Sequence, residues 1–201
     1  MRFLILFLFS IFFISPSNGE NTTSSKGIIA TSNPHASKAA HEIIKKGGNA
    51  IDAAVAVQLV LTLTEPQATG IGGGAFMLYW DAKKSKLFAI DGREKAPSKA
   101  KEDLFLNKDG NKIKFYPDAV VGAKSVGVPG IIKLLEDTHK KFGKLAWNDL
   151  FGYAIELSEN GFSVSPALHN TLGYLSYLKT IEPAGSLYYK KNSYGEKVPV
   201  P

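Results

Sequence analysis

The segment from Ala50 to Leu63 is apolar on nearly every side of the helix that it would form, and this feature constrains the fold most. Its residues are mostly alanine, valine and leucine, and Asp52 is its only charged residue. A helix that is apolar all round must be covered on all sides, whereas a surface helix keeps a polar stripe. We therefore expect a buried helix whose small side chains let neighbouring elements approach closely. Asn49 is a suitable N-cap, and Asp52 lies in the first turn, where the helix dipole favours an anion.

The residues before this helix predict a strand and a first helix. Gly27–Ser32 has the composition of a short buried strand, and Asn33-Pro34 disfavours a helical conformation at its end. His35–Lys46 then contains good helix formers with apolar residues on one stripe. Gly47-Gly48 is expected to end that helix as a C-terminal glycine does.

The residues after the buried helix predict a glycine-rich loop and a hairpin. Gly70–Ala75 contains four glycines, so its backbone needs positive φ angles or close packing. The loop formally fits a dinucleotide-binding pattern, but that pattern must leave a strand and enter a helix, and this loop does the reverse. We interpret it as a tightly packed segment, or as part of a site that binds no phosphate. Phe76–Trp80 and Lys86–Ile90 flank a five-residue turn and predict a β-hairpin.

The second hairpin strand leads directly into Asp91–Pro97, in which Arg93 lies between two acidic residues. One interpretation is a structural ion-pair cluster, and surface pairs of this kind contribute little to stability. The other is a guanidinium held ready for a substrate carboxylate, which arginine binds better than lysine because it donates two parallel hydrogen bonds. The residues alone leave both interpretations open.

The remaining chain predicts further helices. Lys101–Pro117 is polar and turn-rich, as expected of a surface excursion. Val126–Gly130 resembles a strand that enters a helix, with Pro129 in the first turn. We expect a helix at about Trp147–Asn160 and a last short helix from Ser165 through Tyr177.

Composition excludes several classes of protein. Of the 201 residues, 44% are apolar and 21% are charged, as in a folded domain. The absence of cysteine excludes disulfides and thiol catalysis. The net charge of +6 is spread along the chain, so no nucleic-acid partner is expected. The four histidines show no metal-ligand spacing and no pattern of a Ser-His triad, so we expect neither a metal nor a catalytic triad.

Residues 1–19 have the organisation of a signal peptide. Arg2 precedes the apolar run Phe3–Ile14, and small residues at Ser17 and Gly19 fit cleavage after Gly19. The run is shorter than the roughly 20 residues that span a membrane, although an uncleaved anchor is the alternative. Residues 20–26 form a polar leader. We therefore expect an exported protein, periplasmic or secreted.

A series of short motifs carries a family resemblance, and each motif by itself is weak. The motifs are Asn33–Ser37, Gly47–Ala56, Glu65-Pro66, Gly70–Gly74, Asp91–Pro97, Val126–Gly130, Phe142–Trp147 and Asn160–Ser165. In this order and at this spacing they resemble the N-terminal part of the large subunit of the γ-glutamyltransferases (glutathione hydrolases). The resemblance extends from about Gly27 to Ser165.

The resemblance implies an α+β fold, the αββα sandwich of the N-terminal-nucleophile hydrolases, of which residues 27–201 would be an incomplete N-terminal portion. Members of the family are exported precursors that cut themselves into a large and a small subunit. The new N-terminal threonine of the small subunit attacks the γ-glutamyl carbonyl and forms an ester. Water or an amino acid then accepts the γ-glutamyl group from this ester. The implied substrates are glutathione and related γ-glutamyl compounds, and no cofactor is implied.

The resemblance also assigns site residues. The arginine of the family's Asp-x-Arg-Glu motif, which binds the substrate α-carboxylate, corresponds to Arg93, and Glu94 is expected to orient it. The family's Thr-Thr-His nucleophile motif has no match, because Thr22-Thr23 is followed by serine. No catalytic residue is therefore assigned, and we expect the 201 residues alone to be inactive and to need the small subunit as a heterodimer partner. We also expect uncovered sheet edges, and uncovered apolar surface around Ala50–Leu63.

Two alternatives to glutathione catabolism remain at this point. One is a β-lactam side-chain acylase of the same fold, which a carboxylate-binding arginine alone does not exclude. A non-enzymatic remnant that binds another chain would keep the fold without the reaction.

Overall fold

The structure, a computed structural model, describes residues 27–201, so the signal peptide and leader predicted for residues 1–26 lie outside the described residues. The helices are α1 (Pro34–Lys45), α2 (Ala50–Thr64), α3 (Ile131–Phe142), α4 (Gly152–Asn160), α5 (Pro166–Tyr174) and α6 (Ala184–Leu187). The strands are β1 (Ala75–Asp81), β2 (Lys86–Gly92), β3 (Tyr189–Lys191) and β4 (Lys197–Pro199). Short helical turns lie at 115–119, 123–125, 147–150 and 176–180. The chain is thus of the α+β class.

Asparagine side chains cap both of the first helices. Asn33 caps α1, and Asn49 caps α2 within a capping box in which the Asp52 carboxylate accepts the Asn49 N–H at 2.9 Å. Gly47 follows α1 with a φ of +90°, a conformation that glycine adopts without strain. The predicted boundaries of both helices are confirmed to within one residue.

The main core lies between the first four helices and the inner face of the β1–β2 hairpin. It contains buried side chains from α1, α2, α3 and α4, with Met77 and Ile90 of the hairpin packed against it. Helix α2 is covered along most of its length, as its composition predicts, and only Ala50 at its start is exposed. One side of α2, which includes Ala54 and Val57, is half-buried.

The predicted hairpin is confirmed, with β1 and β2 antiparallel from the pair Ala75–Gly92 to the pair Asp81–Lys86. Its side chains alternate between a packed inner face and an outer face, as period-two geometry requires. The outer face is apolar and exposed, and its side chains are Phe76, Leu78, Trp80 and Leu87. The uncovered apolar surface therefore lies chiefly on the hairpin rather than on α2, where it was expected.

The strand predicted at Gly27–Ser32 is absent. The segment has no strand assignment, and Ile28 is 82% exposed. A strand forms only when a neighbouring strand pairs with its backbone, and both sheets within residues 27–201 are two-stranded hairpins formed by other segments. A strand-like composition without a pairing strand was therefore insufficient to form a strand here.

The prediction for Val126–Gly130 was also wrong in detail. Instead of a strand, a single bridge joins Val128 to Lys95. Helix α3 begins at Ile131 after Gly130, so Pro129 lies outside the helix and not in its first turn. The reason is that the Gly130 and Ile131 N–H groups donate to the Gly73 carbonyl at 3.1 and 3.2 Å, and this contact defines where the helix starts.

The later elements are shorter than predicted. The helix expected at Trp147–Asn160 is a 3-10 turn at 147–150 followed by α4. Helix α5 ends at Tyr174 instead of Tyr177, and it is not the last helix as expected, because the short helix α6 follows it. Residues 101–117 form the expected exposed, turn-rich excursion. Within residues 27–201, every helix falls short of the length and apolarity that crossing a membrane would require.

Candidate functional site

Arg93 follows Gly92, the last residue of β2, and its side chain is exposed. Its backbone N–H donates to the Asp91 carboxylate at 2.9 Å, which turns the chain at the strand end. None of the ion pairs formed within residues 27–201 includes Arg93. The structure therefore gives no support to the ion-pair cluster, and the guanidinium stands without an acidic partner in the described part of the chain.

Glu94 points toward the glycine-rich loop. A Cβ atom built on Gly73 would lie 3.3 Å from its Oε1, and one built on Gly74 would lie 2.7 Å from its Oε2. Glu94 also lines a cavity of about 550 Å³ beside this loop, whereas Arg93 is not among the lining residues. None of the ion pairs formed by the described residues joins Glu94 to Arg93. The orienting role assigned to Glu94 stays a prediction.

The glycine-rich loop is closely packed, as the sequence predicts. Of its four glycines, none has a positive φ, so close approach is the reason for their presence. The loop touches the backbone around Arg93, because a Cβ atom on Gly74 would lie 2.8 Å from the Arg93 Cα. The sequence predicts both segments but not the contact between them.

Glu65 directly follows α2, and it is buried, which the Glu65-Pro66 motif did not predict. Its side chain is buried and accepts hydrogen bonds from Asn33 Nδ2 at 2.7 Å and from Gln67 Nε2 at 2.6 Å. Two amides therefore stabilise this carboxylate, and the bond from Asn33 connects the end of α2 to the start of α1. The signal in the sequence was a lone acid before a proline at a helix end.

The histidines do not form a site. His35 Nδ1 lies 3.0 Å from the Tyr153 hydroxyl, and His169 Nδ1 lies 2.8 Å from the Val200 carbonyl. Across residues 27–201 no three histidine, aspartate or glutamate side chains group together as metal ligands would. The candidate site is therefore Arg93 with the close-packed backbone that surrounds it.

Comparison with solved structures identifies the class of protein. The structure is similar to the γ-glutamyltranspeptidase of Helicobacter pylori, with a TM-score of 0.77 and 33% identity over 88% of this chain and 51% of that chain. Residues 27–201 therefore form part of an N-terminal-nucleophile hydrolase fold, the αββα sandwich.

Sequence comparison identifies the family. The gamma-glutamyltranspeptidase profile matches residues 36–197. The chain is 44% identical over 142 residues to the glutathione hydrolase proenzyme of Bacillus subtilis (strain 168), covering 71% of this chain and 24% of that protein. It is also 39% identical over 154 residues to the acylase ACY 1 proenzyme of a Pseudomonas species (strain V22), covering 75% of this chain and 27% of that protein. The chain belongs to the γ-glutamyltranspeptidase family, and it spans about a quarter of the length of these two relatives.

Proposed function

We propose that the protein containing this chain transfers or hydrolyses γ-glutamyl groups, with glutathione among its substrates. The observation that carries this proposal is Arg93, an exposed guanidinium without an acidic partner in the described residues, at the end of a strand. An α-carboxylate would accept two parallel hydrogen bonds from this group. The γ-carbonyl would then lie at a set distance from the carboxylate, because both belong to one glutamyl group.

The reaction would use an N-terminal threonine of a small subunit. Its hydroxyl oxygen bonds to the γ-carbonyl carbon, its proton passes to the threonine α-amine, and the bond to the cysteinylglycine nitrogen breaks as that nitrogen takes the proton. The γ-glutamyl group of the resulting ester then transfers to water or to the amine of an amino acid, and the threonine hydroxyl is released. Within this chain, Arg93 would hold the substrate during both steps.

The outer hairpin face supports the proposal of a small-subunit partner. Phe76, Leu78 and Trp80 are each more than half exposed, and together they form an apolar sheet surface. Sheets with such a face are typically covered by a second sheet about 10 Å away. Because Phe76 pairs with Asp91, this face borders the segment that carries Arg93. A partner sheet on it would therefore bring its own residues close to Arg93.

Export to the periplasm or the medium is part of the same proposal. Its support is the signal-peptide organisation of residues 1–19. Cell fractionation with an antibody against residues 27–201 tests it, and recovery in the cytosol of an unprocessed chain contradicts it.

The experiment compares two substrates with the protein in the form in which its host makes it. We expect hydrolysis of a γ-glutamyl anilide and little hydrolysis of a glutaryl β-lactam. The acylase is the second candidate, because similarity to the acylase ACY 1 proenzyme favours it. Preference for the β-lactam would replace the proposed function with the acylase. Hydrolysis of neither substrate by a folded protein that is not cleaved into subunits would favour the non-enzymatic remnant.

A further inference from the structure

We propose that Gly74 and Gly130 are positioning residues for Arg93. This inference rests on the proposed function, because it concerns how the chain positions the Arg93 guanidinium that would bind the substrate carboxylate. The glycines themselves touch no substrate in this proposal. They act through the backbone of Gly92 and Arg93, which lies between them.

Gly130 approaches this backbone from the start of α3. A Cβ atom on Gly130 would lie 2.3 Å from the Gly92 carbonyl oxygen and 2.9 Å from the Arg93 carbonyl oxygen. Real Cβ atoms essentially never come within 3.0 Å of another heavy atom, so a larger residue here must displace one of the two segments. The contacted atoms are backbone, which has no rotamer change to relieve the overlap.

Gly74 approaches the same backbone from the glycine-rich loop. Its Cβ atom would lie 2.7 Å from the Gly92 carbonyl oxygen and 2.8 Å from the Arg93 Cα. The Gly92 carbonyl is therefore approached by both glycines, one from the loop and one from the start of α3. A shift caused at either glycine would move the Arg93 Cα.

Hydrogen bonds join these segments to one another. Lys95 and Val128 exchange backbone hydrogen bonds of 3.3 and 2.8 Å, just beyond Arg93. The Gly130 N–H donates to the Gly73 carbonyl at 3.1 Å, which connects α3 to the loop. Arg93 is thus held on a closed arrangement of backbone, while its side chain extends into solvent. A displacement of about 1 Å in such a site can cost on the order of 100-fold in rate.

The loop offers a matched control. Gly72 lies in the same glycine run, its φ is not positive, and a Cβ atom on it would have no neighbour within 4 Å. Gly72→Ala therefore changes the same kind of residue without the overlap. Gly74→Ala and Gly130→Ala are the test variants. Arg93→Ala shows how much substrate preference is lost when the guanidinium is absent.

The measured quantity is the preference for a γ-glutamyl anilide over a 4-aminobutanoyl anilide, which is the same substrate without its α-carboxylate. We expect Gly74→Ala and Gly130→Ala to lower this kcat/KM ratio by about tenfold or more, chiefly through the KM of the γ-glutamyl anilide. Turnover of the 4-aminobutanoyl anilide should change by less than about threefold, because it makes no use of Arg93. Gly72→Ala should resemble wild type in both respects.

The outcomes separate the two proposals. If the wild type shows no preference, or Arg93→Ala keeps it, the proposed role of Arg93 fails. If Arg93→Ala removes the preference but both glycine variants keep it, the positioning inference alone is overturned. Equal losses of kcat/KM on both substrates, or loss of folding in both glycine variants, also overturn it. The glycines would then be needed for folding and not for the position of Arg93.

Discussion

The Nε2 atom of His139 lies 3.4 Å from Oδ1 of Asp52, a fully buried carboxylate in the first turn of α2. The same carboxylate accepts the backbone N–H of Lys144 at 3.0 Å and that of Asn49 at 2.9 Å. His139 Nε2 also lies 3.0 Å from the Leu145 carbonyl. Asp52 therefore connects the start of α2 to the end of α3 and to the loop that follows. Two of the motifs that carry the family resemblance, Gly47–Ala56 and Phe142–Trp147, therefore meet at this carboxylate.

Asp52→Asn should lower the free energy of unfolding by about 1.5–3 kcal/mol, because an amide group would face backbone N–H donors that the carboxylate now satisfies. Urea unfolding followed by fluorescence measures the change, since Trp147 packs edge-on against His139 at 5.1 Å between ring centroids. Asp149→Asn is the matched control, because Asp149 is exposed and should change stability by less than about 0.5 kcal/mol. Equal stability of the two variants would contradict the structural role of Asp52.

Arg93→Lys should raise the KM for glutathione by about tenfold or more in the processed enzyme. Lysine keeps the positive charge but loses one of the two parallel hydrogen bonds, a loss of roughly 1.5–3 kcal/mol, or about 10- to 150-fold. The proposed self-cleavage would occur at a peptide bond without an adjacent α-carboxylate, so both subunits should still appear on a gel.

Steady-state kinetics on the processed Arg93→Lys enzyme provide the check. Lys95→Arg is the control, since it alters another exposed cation of the same segment. A normal KM for glutathione together with reduced thermal stability would indicate that Arg93 has a purely structural role.

Tyr189→Phe should lower the free energy of unfolding at neutral pH by about 1–2 kcal/mol. The Tyr189 hydroxyl is buried and contacts the Leu172 and Leu175 carbonyls at 2.8 and 2.9 Å, and these would lose their donor. Burial raises the pKa of Tyr189 above its ordinary value, and the charge of Tyr177 adds to this effect. The protonated form is thus favoured in the folded state.

This pKa shift gives the prediction a pH dependence. Because the folded pKa is raised, the stabilisation by Tyr189 is fully present below the unfolded pKa of about 10 and is lost as the pH rises through the folded pKa. The stability difference between wild type and Tyr189→Phe should therefore shrink above about pH 10. Tyr194→Phe, at an exposed turn, should show neither the loss nor the trend. A difference that is constant from pH 7 to 11 would argue against the shift.

Leu78→Lys should block association with the proposed small subunit while leaving residues 27–201 folded. Leu78 is 73% exposed on the outer hairpin face, so it contributes little to packing within the described residues. A charge at this position would be costly beneath a second apolar sheet. Size-exclusion chromatography of the processed protein measures whether the subunits elute together. Leu187→Lys on α6, also exposed, is the control, and identical behaviour of the two variants would exclude this face as the interface.

The sequence by itself determined the elements whose signals are local. The Asn49 cap, the glycines after α1 and the two hairpin strands all depend on patterns of a few residues, and their predicted positions are confirmed. The position of Arg93 at a strand end followed from the same local pattern. Such signals depend on hydrogen bonds and side-chain periods within one element, so no distant partner is needed to recognise them.

Only the tertiary structure decided which distant segments meet. Gly27–Ser32 has the composition of a strand but lacks a pairing strand in the described residues, and Pro129 lies outside α3 because Gly73 defines the helix start. Asp52 accepts a hydrogen bond from the backbone N–H of Lys144, 92 positions away in the sequence. Gly74 and Gly130, which are also distant in sequence, both approach the backbone of Gly92 and Arg93. These contacts depend on how the elements pack against one another, and residue composition within a single segment carries no information about the partner segment.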